Sequence, residues 1–203
     1  MASQVAHIIY AQKYFTKYPS TINKDEFMLG CTFPDIRRVD EELRRRDTHA
    51  RFDPVDLNFS RLSSFEAGWK FHVYCDMRRE EILNKYKFYS FKNTIEYQQH
   101  PAKMLEDELL YERYNNWEKL VQYFNNAPFF ETGLDVPHET MAHWYSIIAR
   151  YFEKKPDNRS MRTFLFKRVV PTENVDEMLA IVDKLRKDAK VVDVLKKVAE
   201  EIV

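Results

Sequence analysis

Glycine is scarce in this sequence. The chain has 203 residues and only three glycines, Gly30, Gly68 and Gly133, where average usage would give about fourteen. Antiparallel hairpins consume glycine at their turns, so the scarcity argues against an all-β fold. Dinucleotide- and triphosphate-binding loops need several closely spaced glycines, and no such loop occurs. The sequence therefore excludes the common glycine-rich phosphate-binding sites.

A net charge is also lacking. Lys and Arg number 32, Asp and Glu number 32, and the formal net charge is zero. Such a chain has no long-range field to attract nucleic acid or an anionic membrane, although a local phosphate site is still allowed. We therefore expect no extended nucleic-acid-binding surface, and a phosphorylated partner would be a small molecule.

Long apolar runs and paired cysteines are missing as well. No run of about twenty apolar residues could span a bilayer, and the first twenty residues lack the features of a signal peptide. The two cysteines, Cys31 and Cys75, form no CxxC pair. We expect a cytoplasmic protein with free thiols and no transmembrane segment.

Charged residues make up 32% of the chain and aromatic residues 15%, a composition that favours long solvated helices around a bulky core. We predict an all-α, single-domain multi-helical bundle with a C-terminal amphipathic helical arm over about 172–203. This arm packs on the body or serves a partner, for example in a homo-oligomer. The predicted helices cover 4–17, 24–30, 36–46, 61–87, 101–125, 138–154 and 159–168, with Ser3, Ser60 and Thr172 as caps and loops over 47–58 and 126–137.

The sharpest chemical signal is His72 with Asp76 in the sequence AGWKFHVYCDM. A spacing of four puts both side chains on one helical face, at the separation that two ligands of one metal ion need. Apolar neighbours indicate that this helix is buried, and Gly68 either opens space beside the pair or lets another helix approach. A plain hydrogen-bonded pair in the core is the alternative interpretation, and it predicts no effect of metal on the melting temperature.

Upstream residues could complete a metal site. Asp35 follows Pro34 at a break between elements, and His49 lies in RDTHARF. Together with His72 and Asp76 they would supply imidazole nitrogen and carboxylate oxygen, a donor set that suits zinc and also manganese or iron. His7 on the first helix could add a further ligand, or help to hold a second ion that Asp76 bridges. The N-terminal half, about 4–125, is therefore the predicted metal-site half.

The order of these residues resembles the zinc-dependent phospholipase C family, which is related to the single-strand-specific zinc nucleases. The order is an early His7, then PDI at 34–36, then His49, and then AG-x-x-x-H-x-x-x-D at 67–76. The resemblance covers residues 7–76. It implies an all-helical fold that buries up to three zinc ions and cleaves phosphodiester bonds with a metal-activated water. It also implies that Asp35, His49, His72 and Asp76 surround one ion, and that His7 with Asp76 touches another.

The sequence departs from the family at two places. Secreted members begin with a tryptophan whose free amine binds metal, whereas this chain begins with Met1 and Ala2. The third ion of the family uses a further His and a helical His-x-x-x-Glu, which does not follow Asp76. The resemblance therefore implies one or two zinc ions here rather than three.

Further candidates lie outside this pattern. Glu139 and His143 are four apart in PHETMAHW and could share a metal, although a helix cap or a core role is the simpler interpretation; Ala142 excludes the HExxH motif. Asp107 could face the site, or belong to an ordinary charged helix face. Arg51, two residues after His49, is the candidate for binding a substrate phosphate.

The sequence thus favours a zinc-type hydrolase of a phosphoester or phosphodiester, with Asp35 as a base or bridging ligand and Asp76 as the second catalytic carboxylate. The alternative is a non-catalytic, metal-stabilised helical module that binds another protein. An HD-type phosphohydrolase would require adjacent His and Asp residues, which do not occur.

Overall fold

The regular elements are helices throughout the part of the chain that the computed structural model describes, residues 3–91, 100–167 and 175–203, and no strand occurs there. The predicted all-α class is confirmed. None of the helices in these ranges is both long and apolar enough to cross a membrane. The α-helices are α1 (Gln4–Lys17), α2 (Lys24–Thr32), α3 (Arg45–His49), α4 (Ser64–Lys85), α5 (His100–Leu110), α6 (Trp117–Asn125), α7 (His138–Phe152), α8 (Asn158–Phe166), α9 (Val175–Arg186) and α10 (Ala189–Glu201).

Helices α2 and α4 cross in direct backbone contact, and two of the three glycines lie at the crossing. A Cβ on Gly30 would lie 2.0 Å from the carbonyl oxygen of Phe65, and a Cβ on Gly68 would lie 2.0 Å from that of Phe27. Any larger residue would force the helices apart. Of the two roles open to Gly68, the structure shows close approach of another helix, one turn before His72.

Helix α4 begins later than predicted. Its N-cap is Ser63 rather than Ser60, and Ser63 exchanges capping-box hydrogen bonds with Glu66. A Ser followed by a Glu three residues later is typical of a helix start. The side chain of each residue accepts the backbone N–H of the other. Ser3 stands at the N-cap position of α1, but its side chain makes no capping hydrogen bond.

The predicted charged helix over 36–46 is wrong. Residues Phe33–Arg38 form a 3₁₀ helix, the chain then leaves helical geometry, and α3 starts only at Arg45. The carboxylate of Asp40 accepts the backbone N–H groups of Glu42 and Leu43. An Asp that bonds to the following backbone in this way competes with helix formation. The loop predicted over 47–58 accordingly begins after α3.

The single helix predicted over 101–125 is in fact two. Helix α5 ends at Leu110 in a short 3₁₀ turn, Tyr111–Arg113, and α6 starts at Trp117. The indole N–H of Trp117 donates to the carbonyl of Tyr111 across the break, at 2.9 Å. Asn115 and Asn116, both poor helix formers, lie in the connection.

The C-terminal arm packs on the body. It consists of two helices in series, α9 and α10, with Asp188 as the N-cap of the second. Helix α9 contacts α5, and α10 contacts α4, α5 and α1. Its apolar residues, among them Leu179, Val182 and Leu195, are buried there, so they are not free to form an oligomer. The predicted cap Thr172 lies outside the described residues.

Candidate metal centre

Helix α4 carries the centre of the site. His72 Nε2 lies 3.6 Å from Asp76 Oδ2, one helical turn away, as their spacing predicts. The imidazole of His72 lies against the end of α2, where the last carbonyls of a helix have no partner within the helix. His72 Nδ1 is 2.7 Å from one of these, the carbonyl oxygen of Cys31. The α2–α4 crossing therefore fixes the orientation of this ring.

Each of the three histidines is held through its Nδ1 atom. The Nδ1 of His7 lies 2.9 Å from the carbonyl oxygen of Ser3, and that of His49 lies 2.8 Å from the hydroxyl of Thr48. A carbonyl only accepts, so His7 and His72 must donate Nδ1–H, and in the neutral ring the lone pair then lies on Nε2. This is the arrangement by which proteins orient metal-binding histidines.

The three Nε2 atoms, of His7, His49 and His72, are buried and have no hydrogen-bond partner among the described residues. All three converge on Asp76, at 3.8, 3.5 and 3.6 Å from its carboxylate oxygens. These separations exceed an ordinary hydrogen bond. Two ligands bound tetrahedrally at about 2.0–2.1 Å from zinc would lie about 3.3–3.4 Å apart. The spacing thus fits atoms that share an ion better than atoms that share a proton.

The donors form two overlapping groups. Ligand atoms of His7, His72 and Asp76 lie within 4.8 Å of one another, and so do those of Asp35, His49 and His72. One imidazole lone pair binds one ion, so His72 can serve only one of the groups at a time. A carboxylate has two oxygens, so Asp76 can bridge two ions. We call these five residues the metal cluster.

Electrostatics keep the metal cluster in its metal-binding protonation state. Burial lowers the pKa of His7 and of His72, so both rings are neutral near pH 7. Burial alone would raise the pKa of Asp35, but the charge of His72 when it is protonated and the permanent charges of Arg38 and Arg37 outweigh it, and the pKa falls below its usual range. The pKa of Asp76 is also well below its usual range. Neutral imidazoles and ionised carboxylates are the forms that bind zinc.

Asp35 is fixed from two sides. The side-chain amide of Gln4 donates to its Oδ2 at 2.9 Å, and Arg37 Nη2 lies 3.5 Å from Oδ1. Pro34 lies in the first turn of the 3₁₀ helix and so directs Asp35 inward. The short helix α3, which carries His49, is itself bound to α4. The indole N–H of Trp69 on α4 donates to the carbonyl of Thr48 at 2.6 Å.

Asp107 belongs to neither group of metal-ligand atoms. It is fully buried, and its Oδ1 accepts the backbone N–H of Ala6 at 2.9 Å. A carboxyl oxygen that accepts a first-turn N–H satisfies a backbone group that has no partner within the helix. Asp107 therefore supports the start of α1, beside His7. The interpretation of this segment as an ordinary charged helix face is wrong, because its neighbour Glu106 is also fully buried.

Three sequence candidates lie away from the metal cluster. Arg51 stacks on Trp69, with its guanidinium carbon 4.8 Å from the ring centre, and donates to Glu66 and to the carbonyl of Thr132. Glu139 and His143 are exposed on α7. Their spacing gives them a common helix, but neither belongs to a group of ligand atoms in the described part of the chain.

Sequence reasoning missed three polar residues that surround the metal cluster. Gln4 binds Asp35, Arg45 Nη2 lies 3.8 Å from Asp76 Oδ2, and Lys103 is buried on α5 within the field of both carboxylates. Lys103 lies one helical turn before Glu106 and Asp107, a spacing that predicts an ordinary surface ion pair rather than a buried charge. Gln4 and Arg45 carried no local signal, since their partners are 31 residues away or more.

The chain matches no protein-family model, no curated protein and no solved structure in the comparisons.

Proposed function

We propose that this protein is a metal-dependent hydrolase of the zinc type that acts on a phosphoester or phosphodiester. The observation that carries the proposal is that three oriented histidine Nε2 atoms, none with a hydrogen-bond partner among the described residues, converge on the carboxylate of Asp76. Buried polar atoms are costly unless they are satisfied, and cations bound in the two groups of ligand atoms would satisfy them.

The donor set also favours catalysis over simple binding. His7, Asp35, His49, His72 and Asp76 offer five side chains, whereas two four-coordinate ions need about eight ligand positions. Even with Asp76 as a bridge, positions would stay open for water and substrate. A divalent ion at such a site supplies an activated water and neutralises charge on a phosphate.

Asp35 and Asp76 are better suited to hold metal than to move protons. A general base works best when its pKa lies near the operating pH, and both carboxyls have a pKa below the usual range. Of the two roles predicted for Asp35, ligand or base, we therefore favour the ligand. Gln4 and Arg37 hold its carboxylate in position, which suits a ligand.

The test begins with metal content. Protein purified without chelator should bind one or two zinc ions per chain and hydrolyse bis-p-nitrophenyl phosphate or p-nitrophenyl phosphate. His72→Ala should weaken zinc binding by more than about 100-fold and abolish hydrolysis. The matched control is His143→Ala, which removes an exposed histidine on α7. A chain that takes up no zinc on titration excludes the proposal, and activity retained in His72→Ala excludes this site from the reaction.

A second candidate is a non-catalytic, metal-stabilised helical module. It is favoured by the burial of the metal cluster, in which four of the five residues are at most 6% exposed. A single ion held by four of these donors would be closed, as structural zinc sites are. The two candidates differ in stoichiometry: one fully coordinated ion supports the module, and two ions with open positions support the hydrolase.

A further inference from the structure

Helix α5 carries a buried lysine that lies within the electrostatic field of the metal cluster. Lys103 on α5 is only 4% exposed, and it forms no ion pair with a carboxylate in the described residues. Its pKa is lowered to about 8, first by burial, and Arg79 and Arg38 repel its charge while Asp76 and Asp35 attract it. These neighbours put the ammonium group within electrostatic reach of both carboxylates of the metal cluster. A cation buried without a paired anion is costly.

Two arginines lie beside the carboxylates of the metal cluster. Arg38 is buried, and its Nε has no hydrogen-bond partner among the described residues; this atom lies 4.0 Å from Asp35 Oδ1. Arg45 lies 3.8 Å from Asp76 Oδ2, with 52% of its side chain exposed. Both distances are too long for a hydrogen bond. Arg38 is therefore a buried cation beside Asp35, and Arg45 is a half-exposed cation beside Asp76.

The other charges nearby are already balanced. Arg79 donates to Glu106 at 2.8 Å, and Arg37 lies 3.5 Å from Asp35. Among the described residues of this site, Arg38 then shares Asp35 with Arg37, Arg45 faces Asp76, and Lys103 lies in the field of both carboxylates. Positive charge exceeds negative charge by two before any metal ion is counted. Bound divalent cations would enlarge the excess.

We propose that Arg38, Arg45 and Lys103 form an anion site beside the metal cluster, and that it takes the dianionic phosphate of a phosphomonoester. The inference rests on the proposed function for the reaction but not for binding, because the three cations are present with or without metal. A monoester carries close to two negative charges near pH 7, whereas a diester carries one. Arginine can bind such a group through two N–H donors, and lysine acts as a point charge.

The experiment compares two ligands of similar size. Methyl phosphate, a dianion, and dimethyl phosphate, a monoanion, are titrated calorimetrically into zinc-loaded and metal-free protein. The wild type should bind methyl phosphate at least about tenfold more tightly than dimethyl phosphate. Arg45→Gln and Lys103→Met should each weaken methyl phosphate binding by about tenfold and leave dimethyl phosphate nearly unchanged. Arg46→Gln is the matched control, because Arg46 is the next residue of α3 and its side chain is 74% exposed.

The outcomes separate this inference from the proposed function. Zinc content is measured on every sample, and circular dichroism establishes that each variant is folded. Zinc uptake without a preference for methyl phosphate overturns the anion site and leaves the metal site standing. If no zinc binds, the metal-free titration decides: binding that Arg45→Gln and Lys103→Met weaken still supports the anion site. Equal binding by these variants and Arg46→Gln overturns it.

Discussion

Two buried polar clusters lie one helical turn apart along the same helices. His7 belongs to the metal cluster, and Tyr10, three residues later on α1, belongs to a second group. On α4, Asp76 and Arg79 are related in the same way. Helix α5 completes the second group with Glu106. We call Tyr10, Arg79 and Glu106 the closed triad.

The two clusters differ in how their acceptor atoms are satisfied, although one donor of the closed triad, Arg79 Nη2, also has no hydrogen-bond partner among the described residues. In the closed triad the two Glu106 oxygens each accept a hydrogen bond, one from the Tyr10 hydroxyl and the other from Arg79 Nε at 2.8 Å. In the metal cluster the three histidine Nε2 atoms have no such partner among the described residues. Burial of charge alone therefore does not mark a functional site. A functional site is indicated instead by oriented metal-ligand atoms that converge without hydrogen-bond partners, because an external ligand can satisfy them.

The largest expected effect is the loss of the closed triad. Arg79→Met would leave the carboxylate of Glu106 buried without its cation, and breaking a buried pair in this way costs about 3–5 kcal/mol. We expect that loss in the free energy of unfolding, measured by urea denaturation, and we expect it to be the same with and without zinc.

The neighbouring Arg78→Met is the control, because the side chain of Arg78 is 39% exposed and pairs with Glu81 at 2.8 Å. It should cost less than about 1 kcal/mol. If Arg79→Met is too unstable to fold, Arg79→Met combined with Glu106→Leu removes both charges and should recover part of the loss. A cost for Arg79→Met no larger than that of Arg78→Met would contradict the structural role of the triad.

An effect of comparable size, spread over about three pH units, is expected from Asp107, the residue after Glu106 on α5. Burial raises its pKa to about 7, against about 4 in an unfolded chain. Between these values the folded state binds a proton that the unfolded state releases. The stability from this group is therefore complete below about pH 4 and is lost as the pH rises to about 7, at up to about 1.4 kcal/mol per pH unit.

The measurement is the free energy of unfolding of metal-free wild type minus that of Asp107→Asn, from pH 4 to 8. Asparagine can still accept the N–H of Ala6 but does not titrate. The lowered pKa values of His7 and His72 make both proteins lose stability as the pH falls below about 6.5, so their contribution cancels in the difference. A difference that stays flat, or rises with pH, would show that Asp107 is ionised in the folded protein.

The sequence predicts the local part of the metal cluster. His72 and Asp76 share a face because helical periodicity acts over four residues. Asp35, His49 and His7 were candidates by residue type and position, and the family resemblance joined them into one set, because no local pattern links a 3₁₀ turn, a five-residue helix and α1. The contacts that orient them are longer in range still: His72 depends on the carbonyl of Cys31, 41 residues earlier.

Buried charge is the part that the sequence does not predict. In LEDELL, Glu106 and Asp107 resemble a solvated helix face, yet both are fully buried. Their partners, Arg79 and the N–H of Ala6, lie 27 and 101 residues away. The helix predicted over 36–46 fails for a more local reason, since the turn at Asp40 competes with it. Charge-rich segments are therefore the ones where composition is the weakest guide to burial.

The smallest expected effect is that of a histidine substitution in the metal cluster. It is measured as for Arg79→Met, by the free energy of unfolding with and without zinc. His49 is 9% exposed, and removing it without metal breaks mainly the contact of its Nδ1 with Thr48. His49→Ala should thus cost about 1 kcal/mol in urea denaturation of metal-free protein.

With zinc at about 100 times the dissociation constant of the wild type, the wild type should gain about 2.7 kcal/mol and the variant much less. His143→Ala, which removes an exposed histidine, should keep the full gain. A metal-free cost for His49→Ala as large as that of Arg79→Met would mean that the metal cluster supports the fold without a ligand, and the distinction between the two clusters would fail.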